Sequence, residues 1–443
     1  MRTDNAPRYQ PYTLTHWDQI PGLDRLSATR REAMRAVAHV LPFRTSSYVI
    51  NELIDWDNVP QDPIFQLTFP QPEMLAEEDV TRVIKSLRSG STRGEIQALA
   101  NEIRLGLNPH PAGQIEHNVP KIDGEPLPGL QHKYSDTVLF FPSRGQTCHA
   151  YCTYCFRWAQ FVGMQDLKFV QRETATFHRY LRKHTEVSDV LFTGGDPLIM
   201  RGWHLRDYIE PLLGPGFDHI RHIRIGSKAL AFWPYKFLTD PDADDLLRLF
   251  ERVSQSGRQL ALMAHFSHPR ELETKAVREA ITRIRNTGAI IRTQAPLIRH
   301  VNDSAQVWAD MWKLQTRLGC IPYYMFVERD TGAKRYFEVP LGRAHEIFIK
   351  AYRQVSGLAR TVRGPSMSAM PGKVVVLGVE EIRGEKVFIL SFLRGRRPEW
   401  VGRPFFARYD SSATWLDDLR PAFGKPHFFF EEEVPLAWQK QAG

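Results

Sequence analysis

Six short apolar runs alternate with longer amphipathic segments between residues 137 and 355, and this rhythm is the strongest constraint on the fold. The runs are 137–141 (TVLFF), 189–193 (DVLFT), 220–226 (IRHIRIG), 259–266 (QLALMAHF), 288–294 (GAIIRTQ) and 320–327 (CIPYYMFV). Helical patterns occupy 171–186, 202–213, 240–256, 271–286, 304–318 and 341–355. Each run is too short for a helix and is bounded by turn residues. Strands alternating with helices predict repeated βαβ units around a parallel sheet. Right-handed crossovers can wind such units into an open doubly wound sheet or a partial barrel. Periodicity does not choose between them.

The flanks lack this rhythm. Residues 1–125 read as a helical region, with helices expected over 27–40, 75–88 and 92–106. Thr92 and Glu95 fit a capping box opening the third of these. A proline-rich connector, from Pro109 to Pro128, leads into a core over 126–355. In 356–443, runs 374–379 and 387–392 predict a hairpin turning near Arg383-Gly384, and 399–443 is aromatic-rich and irregular. No stretch reaches the roughly 18 apolar residues of a membrane helix, and Met1–Pro7 has no apolar signal core. A cytoplasmic protein is expected. The net charge is +8, but 58 Lys and Arg stand against 50 acids and the bases are spread along the chain. That distribution argues against a nucleic-acid surface.

The chain has four cysteines, too few for a disulfide scaffold at this length. Three of them, Cys148, Cys152 and Cys155, form a C-x3-C-x2-C loop directly after the first strand. Three thiolates in one loop converge on one soft metal site. Zinc would need a fourth ligand, for which His149 is near and Cys320 is far off in sequence. A [4Fe–4S] cluster can use three cysteines and leave one iron open. Strand ends of this kind are where α/β folds place their sites.

At this loop the sequence resembles the radical S-adenosylmethionine (SAM) superfamily. The resemblance implies a partial (β/α)6 barrel, a [4Fe–4S] cluster on Cys148, Cys152 and Cys155, and SAM on the fourth iron. Thr193, Gly194, Gly195 and Asp196, after the second strand, match the segment that holds the SAM amino group. Arg224 and Gln294 fall where further SAM contacts are expected. Further segments narrow the match: Tyr48-Val-Ile, Asp62-Pro-Ile-Phe-Gln66, Arg224-Ile-Gly-Ser-Lys228, His265-Phe-Ser-His-Pro-Arg-Glu271, Val301-Asn-Asp303 and Pro322-Tyr-Tyr324. In this order they resemble the lysine 2,3-aminomutase family, over roughly 45–375. That family adds pyridoxal phosphate (PLP), bound through a lysine, and the matching lysine is Lys373. Lys133 takes the place of a basic PLP-phosphate ligand, while a second family arginine is replaced by Thr137. Arg157 matches the arginine that binds the substrate carboxylate, and a guanidinium offers a bidentate fork for it.

Two departures bear on substrate. Lysine-specific members hold the distal ammonium with two aspartates, and the matching positions here are Ser366 and Arg329, with Asp330 next to the latter. An arginine repels an ammonium and suits an acidic side chain. The family's structural zinc site is also missing: one ligand position is Ser304, and the C-terminal cysteines are absent. The resemblance thus implies a radical-SAM, PLP-dependent amino acid 2,3-aminomutase whose substrate is a small amino acid other than free lysine. It also implies a flavodoxin- or ferredoxin-type reductant, and a homo-oligomer remains open. The alternatives are a radical-SAM mutase acting on a lysine of a translation factor, or a non-catalytic, metal-stabilised nucleic-acid-binding protein.

Overall fold

The computed structural model describes residues 7–113, 117–164, 168–171 and 174–434. The N-terminal helices form close to expectation, as α1 (Ala28–Val40), α2 (Glu77–Arg88) and α3 (Arg93–Leu105). Thr92 and Glu95 cap α3 reciprocally: Thr92 N donates to Glu95 Oε2 at 2.7 Å, and Glu95 N to Thr92 Oγ1 at 3.3 Å. The residues of this region pack into the same hydrophobic core as the sheet.

One eleven-stranded sheet organises the rest. Its strands are β1 (Leu130–Tyr134), β2 (Thr137–Phe140), β3 (Asp189–Phe192), β4 (His222–Ser227), β5 (Gln259–His265) and β6 (Ile290–Leu297). They continue as β7 (Ile321–Val327), β8 (Arg363–Ser368), β9 (Gly372–Ile382), β10 (Glu385–Gly395) and β11 (Pro404–Arg408). All six apolar runs became strands. Strands β2 to β8 pair in parallel, and the flanking pairs are antiparallel. The crossovers carry α4 (Thr174–Lys183), α5 (Gly202–Ile209), α6 (Ala243–Gln255), α7 (Lys275–Asn286), α8 (Ala305–Arg317) and α9 (Leu341–Tyr352).

Strand order decides between the two windings. The sheet runs strictly in chain order from one edge to the other. A doubly wound sheet reverses order at a switch point. Without a reversal, right-handed crossovers put every helix on one face, and a twisted sheet curls around the other. The architecture is therefore the α/β, barrel-type winding expected from the resemblance, left open: among the described residues no ladder joins β1 to β11.

Side chains bring the two sides together instead. Lys133 Nζ donates to Ala369 O at 2.5 Å, Arg394 pairs with Asp136, and Arg396 Nη2 donates to Asn118 Oδ1 at 2.6 Å. The C-terminal strands build a second apolar cluster around Phe388, Phe392, Trp400 and Phe405, which reaches Val327 of β7 and Leu341 of α9. Sequence periodicity leaves β11 as irregular chain and does not mark β1 or β8.

Candidate active site

The concave face of the sheet encloses a cavity of about 400 Å³, within the range of small-molecule sites. Its lining comes from the C-terminal ends of the parallel strands, from the cysteine loop and from β1, β9 and β10. The loop after β2 presents Cys148, Cys152 and Cys155 to this one space. Burial raises all three thiols, Cys152 to about 12 and Cys155 to about 11, and their mutual repulsion adds to it for Cys148 and Cys152. A cation at this point would be stabilised by three thiolates. The other two candidates for a fourth ligand face elsewhere. His149 is buried edge-on against Tyr9, with ring centroids 5.4 Å apart, and Cys320 is buried in the core. Neither lines the cavity.

The Gly194-Gly195-Asp196 turn holds the loop in place. Gly195 N donates to Gly145 O at 3.1 Å and Asp196 N to Thr147 O at 2.8 Å. A Cβ on Gly195 would stand 2.6 Å from both the N and the O of Thr147, so only glycine allows this approach. Gly194 has φ +144°, which again favours glycine. Asp196 ties β3 to β4, accepting from Leu198 N, Ser227 Oγ and Lys228 N, each at 2.9 Å. Thr193, Gly194, Gly195, Asp196, Arg224 and Gln294 all line the cavity. Arg224 Nε is paired with Asp189 at 2.7 Å, and Gln294 Nε2 lies 2.8 Å from His265 Nε2. Lys228 also lines it, paired with the buried Glu271 at 2.7 Å.

Opposite the cysteine loop, Lys373 enters from β9. Its Nζ lies 3.9 Å from the centroid of Tyr324 and 5.1 Å from that of Phe326. Burial, with Arg224, Arg394 and Arg363 nearby, pulls its amine down to about 7. Lys133 lines the same end. Between the two ends stand Arg157 and Arg329. Arg157 stacks on Phe141 at 4.2 Å; burial lowers it to about 9, which still leaves it cationic at neutral pH. Arg329 stacks on Phe156 at 4.9 Å and donates from Nη2 to Ser368 O at 3.2 Å.

The structure separates Arg329 from its neighbour. Arg329 lines the cavity, whereas Asp330 contacts Asn108, whose Nδ2 donates to Asp330 O at 2.6 Å. Ser366 is fully buried with its hydroxyl directed at Met325 O at 3.4 Å and does not line the cavity; Ser368 does. Sequence reasoning missed Glu328 and Arg394, both cavity residues, and gave no site role to Tyr324, which also lines the cavity. Burial raises Glu328 well above the usual carboxylate range, with Arg329 opposing.

A comparison of sequences bears on this arrangement. The chain is 32% identical over 397 residues to the Aquifex aeolicus protein named "Putative L-lysine 2,3-aminomutase", covering 89% of this chain and 92% of the relative. The chain belongs to the lysine 2,3-aminomutase family. It is 30% identical over 243 residues to the L-lysine 2,3-aminomutase of Escherichia coli, covering 54% of this chain and 67% of that protein. It is 27% identical over 232 residues to the glutamate 2,3-aminomutase of Clostridioides difficile, covering 52% of this chain and 51% of that one. No family model matches. Membership makes the chain an isomerase of the radical SAM type, with the family's [4Fe–4S] cluster, SAM and PLP as cofactors. The reading as a non-catalytic metal-stabilised module gives way to it. Among the described residues, no helix is long and apolar enough to cross a membrane.

Proposed function

We propose that this aminomutase converts an α-amino acid with an acidic side chain to the corresponding β-amino acid. The observation that carries the reading is that Arg329, and not Asp330, lines the cavity together with Arg157. Two guanidiniums in a closed space suit a dicarboxylate, one for the α-carboxylate and one for the side chain. An alkyl ammonium in the same place would meet like charge. Glu328 opposes this preference less than an ordinary carboxylate would, because burial pushes its carboxyl well above the usual range and disfavours the anion. A relative named glutamate 2,3-aminomutase is consistent with the assignment.

In this reading Cys148, Cys152 and Cys155 hold the cluster. The Thr193–Asp196 turn, Arg224 and Gln294 line the space for SAM. Lys373 carries PLP, with Lys133 on the phosphate side. The donor sets fit these groups: three thiols converge on one space, and a buried amine depressed to about 7 supplies the neutral nucleophile that an aldehyde needs. When bound, cluster and SAM supply a hydrogen-abstracting radical, and PLP holds the amino group that migrates. The residues of the chain orient the substrate by its carboxylates and surround the reacting carbons with Phe156, Tyr324 and Phe326. A low-potential reductant of flavodoxin or ferredoxin type would load the cluster.

The test is product analysis after anaerobic incubation with SAM, PLP, reductant and a panel of amino acids. Formation of β-glutamate from glutamate is expected, and Arg329→Gln should abolish it with little change in reductive SAM cleavage. Rapid β-lysine formation with glutamate and aspartate inert overturns the proposal. Conversion only of a lysine within a translation factor would overturn it in favour of the protein-directed reading.

A further inference from the structure

The closure of the sheet gathers several cations, and Lys133, Arg329, Lys373 and Arg394 all line the cavity. Lys133 from β1, Arg329 after β7, and Arg394 and Arg396 at and beyond the end of β10 all act electrostatically on Tyr134 or on one another. Lys373 belongs to the same neighbourhood. Asp136 pairs directly with Arg394. Like charges gathered this closely repel, and an anion among them relieves the repulsion.

Register makes Arg394 the best placed of these. It is the direct cross-strand partner of Lys373 in the β9–β10 ladder, and opposed residues in an antiparallel pair share one face of the sheet. Its approach depends on Gly372, where a Cβ would stand 2.3 Å from Arg394 O. The guanidinium lies 4.7 Å from the Tyr134 ring, whose other neighbour is Lys133 Nζ at 5.5 Å. Tyr134 thus holds a lysine and an arginine from opposite sides of the seam. A guanidinium has five N–H donors, and the bond to Asp136 leaves others for a second anion.

We infer that Arg394 is a PLP-phosphate ligand, so that a strand of the C-terminal extension closes the phosphate subsite together with Lys133. The inference rests on the assignment of Lys373 as the PLP lysine and goes beyond it by naming a phosphate-side residue on the neighbouring strand. It also accounts for Thr137: the cation missing from the β1–β2 turn arrives from β10. Asp136 orients Arg394 from below.

The experiment compares PLP with pyridoxal, which lacks the phosphate, in equilibrium titrations of the full chain followed by the visible absorbance of the bound aldehyde. Arg394→Gln should weaken PLP by about ten- to a hundredfold, the worth of one charge-assisted hydrogen bond, and leave pyridoxal unchanged. Arg394→Lys should lie between. Asp136→Asn removes the clasp but keeps the cation, and should retain the preference for PLP. Equal losses for PLP and pyridoxal in Arg394→Gln, or an Asp136→Asn variant that loses the preference as fully, would make Arg394 a structural clasp and overturn the inference. Should Arg394→Gln not fold, the Lys and Asn variants decide it by the same criteria. Wild-type protein that binds neither aldehyde, or binds both unchanged in Lys373→Ala, overturns the Lys373 assignment itself. An Arg394→Gln effect on PLP alone with Lys373→Ala still loading overturns only the latter.

Discussion

Lys373 shows how one buried side chain couples chemistry to stability. Burial is the largest influence on it, followed by Arg224, Arg394 and Arg363, and together they bring its amine from an unfolded value of 10.5 to about 7. The neutral form attacks an aldehyde, so covalent loading of PLP should rise through a midpoint near pH 7 instead of near 10. The sign of the stability effect follows. Below the folded value the penalty for a buried ammonium is present in full. As pH rises from about 7 toward 10.5 the unfolded chain holds more protons, and the unliganded fold gains stability. Denaturant midpoints across this window should climb in the wild type. In Lys373→Met the climb should shrink, with the variant the more stable one at pH 6. A flat wild-type profile would show that the amine is not depressed. Cavity residues differ in how visible they are from sequence. The three thiols lie within eight residues and declare themselves by spacing. Arg394 lies 258 residues from Asp136, so nothing local marks it as a site residue.

Elements were legible where local pattern and burial coincide. Strands β2 to β7 carry apolar residues at their buried positions, and in β4 and β6 these alternate with polar residues such as Arg224 and Gln294 that face the cavity. Strand β8, Arg-Gly-Pro-Ser-Met-Ser, carries a single apolar residue at Met367 and owes its place to pairing with β7 and β9. Strand β1, Leu-Gln-His-Lys-Tyr, is half polar because its far half faces the cation cluster. Winding also escaped periodicity, since strand order is a property of the whole sheet. Two substitutions separate element from site. Phe140 in β2 is fully buried and stacks on Phe177 of α4 at 4.0 Å. Phe140→Ala should cost about 3–5 kcal/mol of unfolding free energy, read from denaturant titration. Gly195→Ala presses on the backbone of Thr147, next to Cys148. It should lower iron and sulfide content after reconstitution while thermal unfolding of the unloaded chain moves little. Full iron loading in Gly195→Ala would show that the loop yields.

At the scale of the molecule, the sheet is a barrel closed by side chains. Among the described residues, contacts between its two sides include Lys133 with Ala369, Arg394 with Asp136 and Tyr134, and Arg396 with His117 and Asn118. Such a seam lacks the cooperative hydrogen bonds of a ladder and opens at lower free energy than the strands beside it. An anion that touches Lys133 and Arg394 at once bridges the seam, and its binding free energy adds to the stability of the closed form. Hydrogen exchange tests this on the whole chain. Saturating PLP should slow exchange on both sides of the seam, in 130–134 and in 391–396, because opening either side must release the ligand. Pyridoxal should protect mainly the β9 side around Lys373, since it has no group to reach β1. Protection by PLP confined to 372–376 would mean that the cofactor sits on one side only and the seam closes without it. Protection that spreads to both sides ties β10, and not only the lysine-bearing β9, to the catalytic cavity.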